Sequence, residues 1–435
     1  MSLRSRIEPQ EVSRSPKYLP YLTWTLLILL FVYLMSWYLF YRPSTQTEKQ
    51  MAAFQAALRY IEQNYIYQID QEKLYEGAMR GMVHALDNKY SYYLTQKEWQ
   101  SLNEETEGQY VGIGVRVSQV DSWSVIEDVF PNGPAAEAGL KGGDVITSVE
   151  GQGAHDMTTD ELVNRIRGKP GTHVRMEVRR PPENKIIAVT LTRANIEVLS
   201  VHSRMLEDGI GLLRIDSFDK NVAGEVQKAL TTLKVSKPRA LLIDLRGNPG
   251  GLMDQSIEIC DMFLDKGLIL RLAGRTAGGL PPAYADPQVE IPTSVPIAVL
   301  VDQNTASAAE ILSGALQANG RATVIGARTF GKGSVTTPVE LPDGTGGIVI
   351  TVFHYVLAGG EMIEGNGVKP DVVVGEMPPY PMDDPAKGQL WRQAAQKAAR
   401  EQEDRAIQYL KQRLAGVMPA PTPPPPEGQH GADAH

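Results

Sequence analysis

Two short segments carry the side chains best suited to covalent chemistry. In Asn304-Thr305-Ala306-Ser307-Ala308-Ala309-Glu310, a serine follows the apolar run Ile297–Val301 and opens a helically patterned stretch reaching about Ala318. A hydroxyl at that place has two readings. As an N-cap it accepts hydrogen bonds from first-turn amides. As a nucleophile it sits beside those unpaired amides and the positive end of the helix dipole, which favour an oxygen turning negative. The fragment alone favours the cap.

The second segment lies 25 positions further on, where Gly326–Val335 (GARTFGKGSV) holds Lys332 between two glycines in a turn between strands. Glycines allow close backbone approach, so the amine can be confined. Desolvation then lowers its pKa and makes a neutral base available to take the serine proton. The same stretch misses a phosphate-binding loop by one residue. Gly326-x-x-x-x-Gly331-Lys332 fits, but Gly333 stands where Ser or Thr is required, and Ser334–Leu341 reads as a strand instead of a helix. Nucleotide binding is set aside on both counts.

A third segment, Asp244-Leu245-Arg246-Gly247-Asn248-Pro249-Gly250-Gly251, is a glycine-rich turn after the buried-strand pattern Leu241–Asp244. It reads either as a plain strand-to-helix connection or as the source of a backbone amide. In the second case the amide of Gly250 or Gly251, paired with that of Ala308, forms an oxyanion hole.

Competing chemistries are poorly supplied. Of seven histidines, His430 and His435 lie in the tail, His84 in a helical segment, and His155 and His173 in a β-rich region; His202 and His354 fall in no motif with a catalytic role. No metal-ligand spacing such as H-E-x-x-H occurs, so neither a metal nor another cofactor is expected. The single cysteine, Cys260, sits in the apolar run Ile257–Leu264 and reads as an inert buried thiol. A formal charge of −8 and a pI near 5.5 provide no basic field for nucleic acid.

These segments need a scaffold, and 435 residues with 42% hydrophobic and 22% charged side chains suggest two or three globular units. Residues 1–20 form a basic arm with Arg4, Arg6, Arg14 and Lys17. Tyr21–Tyr41 is uncharged, has aromatic residues at both ends and is long enough to span a bilayer. A cleaved signal peptide fits less well, because Trp37–Tyr41 offers no small residues for processing. This predicts a single transmembrane anchor with the bulk of the chain outside the cytoplasm, periplasmic or otherwise extracytoplasmic. Residues 42–98 read as two helices joined near Asp70 and 99–193 as a small β-rich domain. An α/β core with mixed sheets and flanking helices follows over 194–377, then a helical segment over 378–415 and a Pro-rich tail over 416–435.

Within the β-rich domain, Gln109–Val117 (QYVGIGVRV) is followed by Pro131-Asn132-Gly133-Pro134-Ala135-Ala136, Ala138-Gly139-Leu140, Gly142-Gly143-Asp144-Val145-Ile146 and Val149-Glu150-Gly151. That ordered set resembles a PDZ domain, which adds a peptide's C-terminus to a sheet edge and receives its carboxylate on backbone amides. The resemblance implies a carboxylate-binding loop at Gly112, Ile113 and Gly114. Arg167, in LVNRIRGKPGT, is then either a solvated surface residue or an electrostatic contact between domains or to the substrate carboxylate.

Together, Asp-Leu-Arg-x-Asn-Pro-Gly-Gly, Ala-Ser-Ala-x-Glu and Thr-Phe-Gly-Lys-Gly, with the late segment Ile363–Asp371 (IEGNGVKPD), resemble the carboxyl-terminal processing proteases over about Met51–Val374. The resemblance implies a serine endopeptidase with Ser307 as nucleophile and Lys332 as base, acting on protein substrates with accessible C-terminal tails. An activating adaptor protein and a homo-oligomer are further partners that family analogy raises. Two departures stand out. The family places Gln four positions after the lysine to orient its amine, and here Thr336 takes that place; the usual Thr-Pro after the hairpin tyrosine is Leu357-Ala358 after Tyr355. A threonine has a shorter reach. The alternative it raises is a weakly active or inactive homologue that serves as a partner-dependent tail-binding scaffold.

Overall fold

The computed structural model describes residues 19–41, 45–376 except 108, 121, 132, 198, 277, 279 and 361, and 388–421. The arm over 1–18 and most of the Pro-rich tail lie outside them. The chain divides into two compact units, 1–78 and 79–435.

The first unit contains α1 (Leu19–Tyr41), α2 (Thr45–Asn64) and the start of α3 (Gln71–His84). The expected break near Asp70 is there, and Asp70 Oδ1 accepts from the amide of Lys73 at 3.2 Å, as an N-cap does. In α1, the apolar side chains from Trp24 to Met35 are exposed. Among the described residues no helix is long and apolar enough to cross a membrane. Of α1, side chains are described for 24–36 only, so most of the ends of the expected Tyr21–Tyr41 span lie outside them.

The helical segment expected to run to residue 98 stops short. Tyr92–Thr95 is a strand, β1, because its aromatic and β-branched residues suit a pleated edge. Helix α4 (Gln96–Thr106) then leads into the small domain. There β2 (Gln109–Gly112) pairs with β9 (Ala194–Glu197), while β3 (Val115–Val120), β4 (Trp123–Val129), β5 (Val145–Val149), β7 (His173–Arg180) and β8 (Lys185–Thr192) form one antiparallel sheet, with β6 (Gln152–Gly153) on β5. Strand β7 alternates buried and exposed residues, the pattern of a sheet with one wet face. Helices α5 (Pro134–Glu137) and α6 (Thr159–Ile166) complete the domain. A capping box between Thr158 and Glu161 starts α6. Leu162 and Ile166 of α6 join Ile113, Ile126, Ile146 and Met176 in the domain's core.

The second half is an α/β layer structure. Its sheet runs in the order β10 (Val201–Met205), β11 (Ile210–Ile215), β12 (Ala240–Asp244), β15 (Ile297–Val301), β16 (Ala322–Gly326) and β19 (Val372–Val373), parallel throughout except for the β10 hairpin. All five residues of β12, β15 and β16 are buried, as expected for parallel strands covered on both faces. One face carries α7 (Val222–Val235), α8 (Met253–Asp261) and α9 (Ala308–Ala318), with Cys260 buried in that layer. The other face is covered by α10 (Gly388–Leu414) through Ala406, Tyr409 and Leu410. The C-terminal helix is therefore a layer of the core, packed where its small and aromatic residues fit the sheet. A second sheet places β18 (Gly346–Val356) between β1 and β13 (Leu268–Ala273), with β14 (Ala283–Tyr284) beyond β13 and β17 (Ser334–Glu340) also on β18.

Candidate active site

The nucleophile candidate stands where β15 delivers the chain to α9. Thr305 fixes that turn, its hydroxyl donating to Leu245 O at 2.9 Å and accepting from the amide of Asp302 at 2.9 Å. The amide of Ala306 donates to Asn248 O at 2.9 Å, which ties the serine segment to the glycine-rich turn after β12. Ser307 itself has φ 54 and ψ −117, a sparsely populated conformation for a residue with a side chain. It occupies the N-cap position without capping: its hydroxyl makes no cap hydrogen bond, and the amide of Glu310 donates to the Ser307 carbonyl at 2.8 Å. The hydroxyl is thus left for other work.

Half of a capping box does survive, and it links the two halves of the site. Glu310 is fully buried, and its carboxylate accepts four hydrogen bonds: from Ser307 N (2.8 Å), Lys332 N (2.9 Å), Gly331 N (2.8 Å) and Thr329 Oγ1 (2.5 Å). The first two reach the same oxygen, Oε2. Burial pushes the Glu310 pKa up, opposed by those donors. Tyr355 Oη forms a second bridge, 2.5 Å from Lys332 O and 3.2 Å from Ser307 O. Burial holds its pKa well above the usual phenol value, which keeps it a donor.

Lys332 is half-buried in the turn before β17. Gly333 is obligatory there, since a Cβ would collide with the amide nitrogen of Glu364, and its own amide donates to Glu364 Oε2 at 2.9 Å. Burial lowers the Lys332 pKa, while the carboxylates of Glu364 and Glu310 oppose that shift. Its Nζ lies 5.2 Å from the ring centroid of Tyr90. Thr336, expected to help orient the lysine, makes no side-chain hydrogen bond among the described residues; a bulge between Val335 and Thr336 separates it from the lysine turn.

The expected oxyanion pair is Gly250 and Ala308. Gly250, with φ +97, packs so tightly that a Cβ would lie 2.7 Å from Ser307 Cβ and 2.9 Å from Ala308 N. Its amide, however, donates to Asn248 Oδ1 at 2.8 Å, held within its own turn. Gly250 therefore gives the serine room and spends its N–H elsewhere. Among the described residues the amides of Gly251 and Ala308 have no such partner. The sequence reading named Gly250 or Gly251 beside Ala308, with Gly250 preferred, and the Gly250 amide is held within its own turn.

In the small domain, Gly112 ends β2, Ile113 is buried and Gly114 has φ +79. The carbonyls of Ile113 and Gly114 accept from Ala135 N (2.8 Å) and Phe130 N (3.0 Å), which fixes the loop. Next to it lies a cavity of about 270 Å³ lined by Ile113, Val115, Phe130, Val163, Ile166 and Arg167 among others. Arg167 is a contact between elements: its Nη1 donates to Glu104 of α4 at 3.3 Å. No group of His, Cys, Asp or Glu able to hold a metal occurs among the described residues.

Sequence reasoning missed Glu310, Tyr355, Glu364, Tyr90 and Asn248 as parts of this site. Glu310 did leave a signal, as a charged residue in an otherwise apolar helix one turn after the serine. Asn248, Tyr355 and Glu364 stood in quoted segments without a role, and Tyr90 is distant in sequence and meets the site only in the fold.

Comparison with known proteins agrees with this architecture. Residues 209–374 match the model of peptidase family S41, 125–180 a PDZ domain, and 41–98 the N-terminal domain of the activating protease CtpB. The carboxy-terminal processing protease CtpA of Bacillus subtilis is 36% identical over 324 residues, 74% of this chain and 68% of that protein. A carboxy-terminal-processing protease of Bartonella bacilliformis is 33% identical over 75% of this chain and 76% of its own. The solved photosystem II D1 C-terminal processing protease aligns over 75% of this chain and 88% of its own at 28% identity, with a TM-score of 0.44. A serine in a strained turn, a half-buried lysine whose backbone shares the Glu310 carboxylate with it, a PDZ domain ahead of both and relatives matched over most of their length lead to one assignment: the chain belongs to the carboxy-terminal processing proteases, serine peptidases of family S41.

Proposed function

We propose that this peptidase cuts proteins through an acyl-enzyme on Ser307, with Lys332 as general base. The observation that carries the reading is the Glu310 carboxylate, which takes the backbone amides of both residues on one oxygen. Neutral Lys332 Nζ takes the hydroxyl proton as Ser307 Oγ attacks the scissile carbonyl carbon. The resulting oxyanion is met by the amides of Ala308 and Gly251. Collapse breaks the C–N bond, the leaving amine takes the proton from Lys332, and water repeats the sequence to free the serine. Burial of Lys332 supports this, because it favours the neutral amine. Purified Ser307→Ala and Lys332→Ala proteins test the pair; each should lose cleavage of labelled casein, and undiminished turnover by either refutes the assignment.

Substrate tails are captured by Gly112, Ile113 and Gly114, with an apolar terminal side chain in the adjacent cavity. The exposed apolar side chains of α1 support an anchor in a membrane, with the catalytic part outside the cytoplasm. Release of the protein from membranes by high-pH carbonate would count against the anchor. An activating protein partner rests on family analogy, tested by whether activity in a cell extract exceeds that of the purified chain.

The lack of a hydrogen bond between Thr336 and Lys332 favours a second reading, a weakly active tail-binding scaffold. Labelling of Ser307 by a fluorophosphonate in the isolated protein would sink it; labelling only after Thr336→Gln would favour it.

A further inference from the structure

Among the described residues nothing accepts a hydrogen bond from Lys332 Nζ, although its backbone is held on both sides. What faces the amine is an aromatic ring. Tyr90 presents its ring centroid 5.2 Å from Nζ, inside the range at which a cation is attracted to an aromatic face. The same ring has Lys89 Nζ at 4.7 Å, and a hydrogen bond to the Tyr90 side chain, with their charge interaction, raises the Lys89 pKa. Tyr90 Oη is buried, with the Lys89 amine as its charged neighbour.

The loop carrying that ring is tied down with care. Asn88 Oδ1 accepts from Tyr90 N (3.0 Å), Ser91 Oγ (3.1 Å) and Thr351 Oγ1 (3.0 Å), and Ser91 Oγ accepts from Thr351 N at 3.0 Å. Thr351 lies opposite Thr336 in the β17–β18 register, and Tyr92, two residues past the ring, pairs with Val349. The strand pair that issues from Lys332 therefore also holds Tyr90. The ring borders a cavity of about 700 Å³ that Glu364, the residue bonded to Gly333 N, also lines. A tyrosine serving only as core filler would not need a fixed loop, an open cavity and a cation on its face.

We propose that Tyr90 is the positioning residue of Lys332, confining the amine in place of a hydrogen-bonding side chain and stabilising the ammonium that forms when the serine proton arrives. The inference rests on the Ser/Lys reading. As Nζ gains charge, the negative face of the ring becomes more favourable to it, so the effect belongs to the acylation step and not to substrate binding.

The test uses the full chain, with casein hydrolysis and the rate of Ser307 labelling by a fluorophosphonate as readouts. Tyr90→Met keeps volume and removes the π face; kcat and labelling should fall roughly tenfold while KM and the melting temperature hold. Tyr90→Phe should stay near wild type. In case Tyr90→Met does not fold, fluorinated phenylalanines placed at position 90 keep the shape and weaken the ring's negative face, so the rate should fall as fluorine is added. A rate indifferent to fluorine, a wild-type rate in a folded Tyr90→Met protein, or a Tyr90→Phe loss as large as the Tyr90→Met loss would overturn the proposal. Lys332→Ala separates the two claims: if it retains turnover the dyad fails, whereas loss there with unimpaired Tyr90→Met removes Tyr90 alone.

Discussion

The two ends of the active site are built in opposite ways. At the serine end the backbone is fixed at nearly every step, by Thr305, Asn248, Glu310 and Tyr355, and the hydroxyl is left unencumbered. At the lysine end the backbone is equally fixed, but the amine meets only burial, a ring and two carboxylates. A serine side chain has one short bond to aim, so fixing its main chain is enough. A lysine has four, and its direction has to come from what surrounds it. The site thus depends on hydrogen bonds for its geometry and on local dielectric for its reactivity.

The sharpest way to break this contrast is at the residue both ends share. Glu310→Gln replaces an acceptor of four donors with a group that has donors of its own. Turnover should fall roughly a hundredfold or more, and each stranded donor should cost about 1–3 kcal/mol in denaturant unfolding. Retained activity would mean that the carboxylate is incidental.

A smaller effect should appear at the lysine alone. Its depressed pKa means that activity rises with pH as the ammonium loses its proton, with a midpoint below that of an ordinary lysine. The Glu364 carboxylate favours the ammonium, so Glu364→Gln should move that limb to lower pH. A shift to higher pH in the rate profile would reverse the sign assigned to Glu364.

The smallest effect is predicted far from both ends. The Arg167–Glu104 pair is about two-fifths exposed on each side and should contribute only ~0.2–1 kcal/mol, declining with salt. Arg167→Ala should leave the melting temperature almost unchanged while weakening peptide capture by the PDZ domain. If melting falls steeply, the pair is structural.

Much of this could be read from the chain itself. The serine, lysine and glycine-rich segments stood out as candidates because chemistry restricts residue type at such positions, and β12 and β15 because four and five consecutive apolar residues leave few alternatives. Glu310 was visible but unassigned, since a carboxylate in the first turn of a helix is also ordinary dipole chemistry. That the Gly250 amide is taken up within its own turn could not be read, because it depends on Asn248 Oδ1 turning back on its own loop. Tyr90 was hidden for a different reason: it lies some 240 positions from Lys332, and only the pairing of β1 with β18 brings the two together.

Helix α10 has a bearing on how the protein can be handled. Its Tyr409 Oη lies 2.6 Å from Thr323 Oγ1 of β16, and the carbonyl of Ala399 accepts from Arg246 Nη1 at 2.6 Å, in the turn that presents Gly250 and Gly251. Asp244 and Glu403 hold the same guanidinium. A fragment trimmed before Gly388 would bare one whole face of the parallel sheet and slacken the glycine turn. Loss of activity in such a fragment would report a damaged catalytic centre and say nothing about a missing partner, so shortened forms should end beyond Pro421.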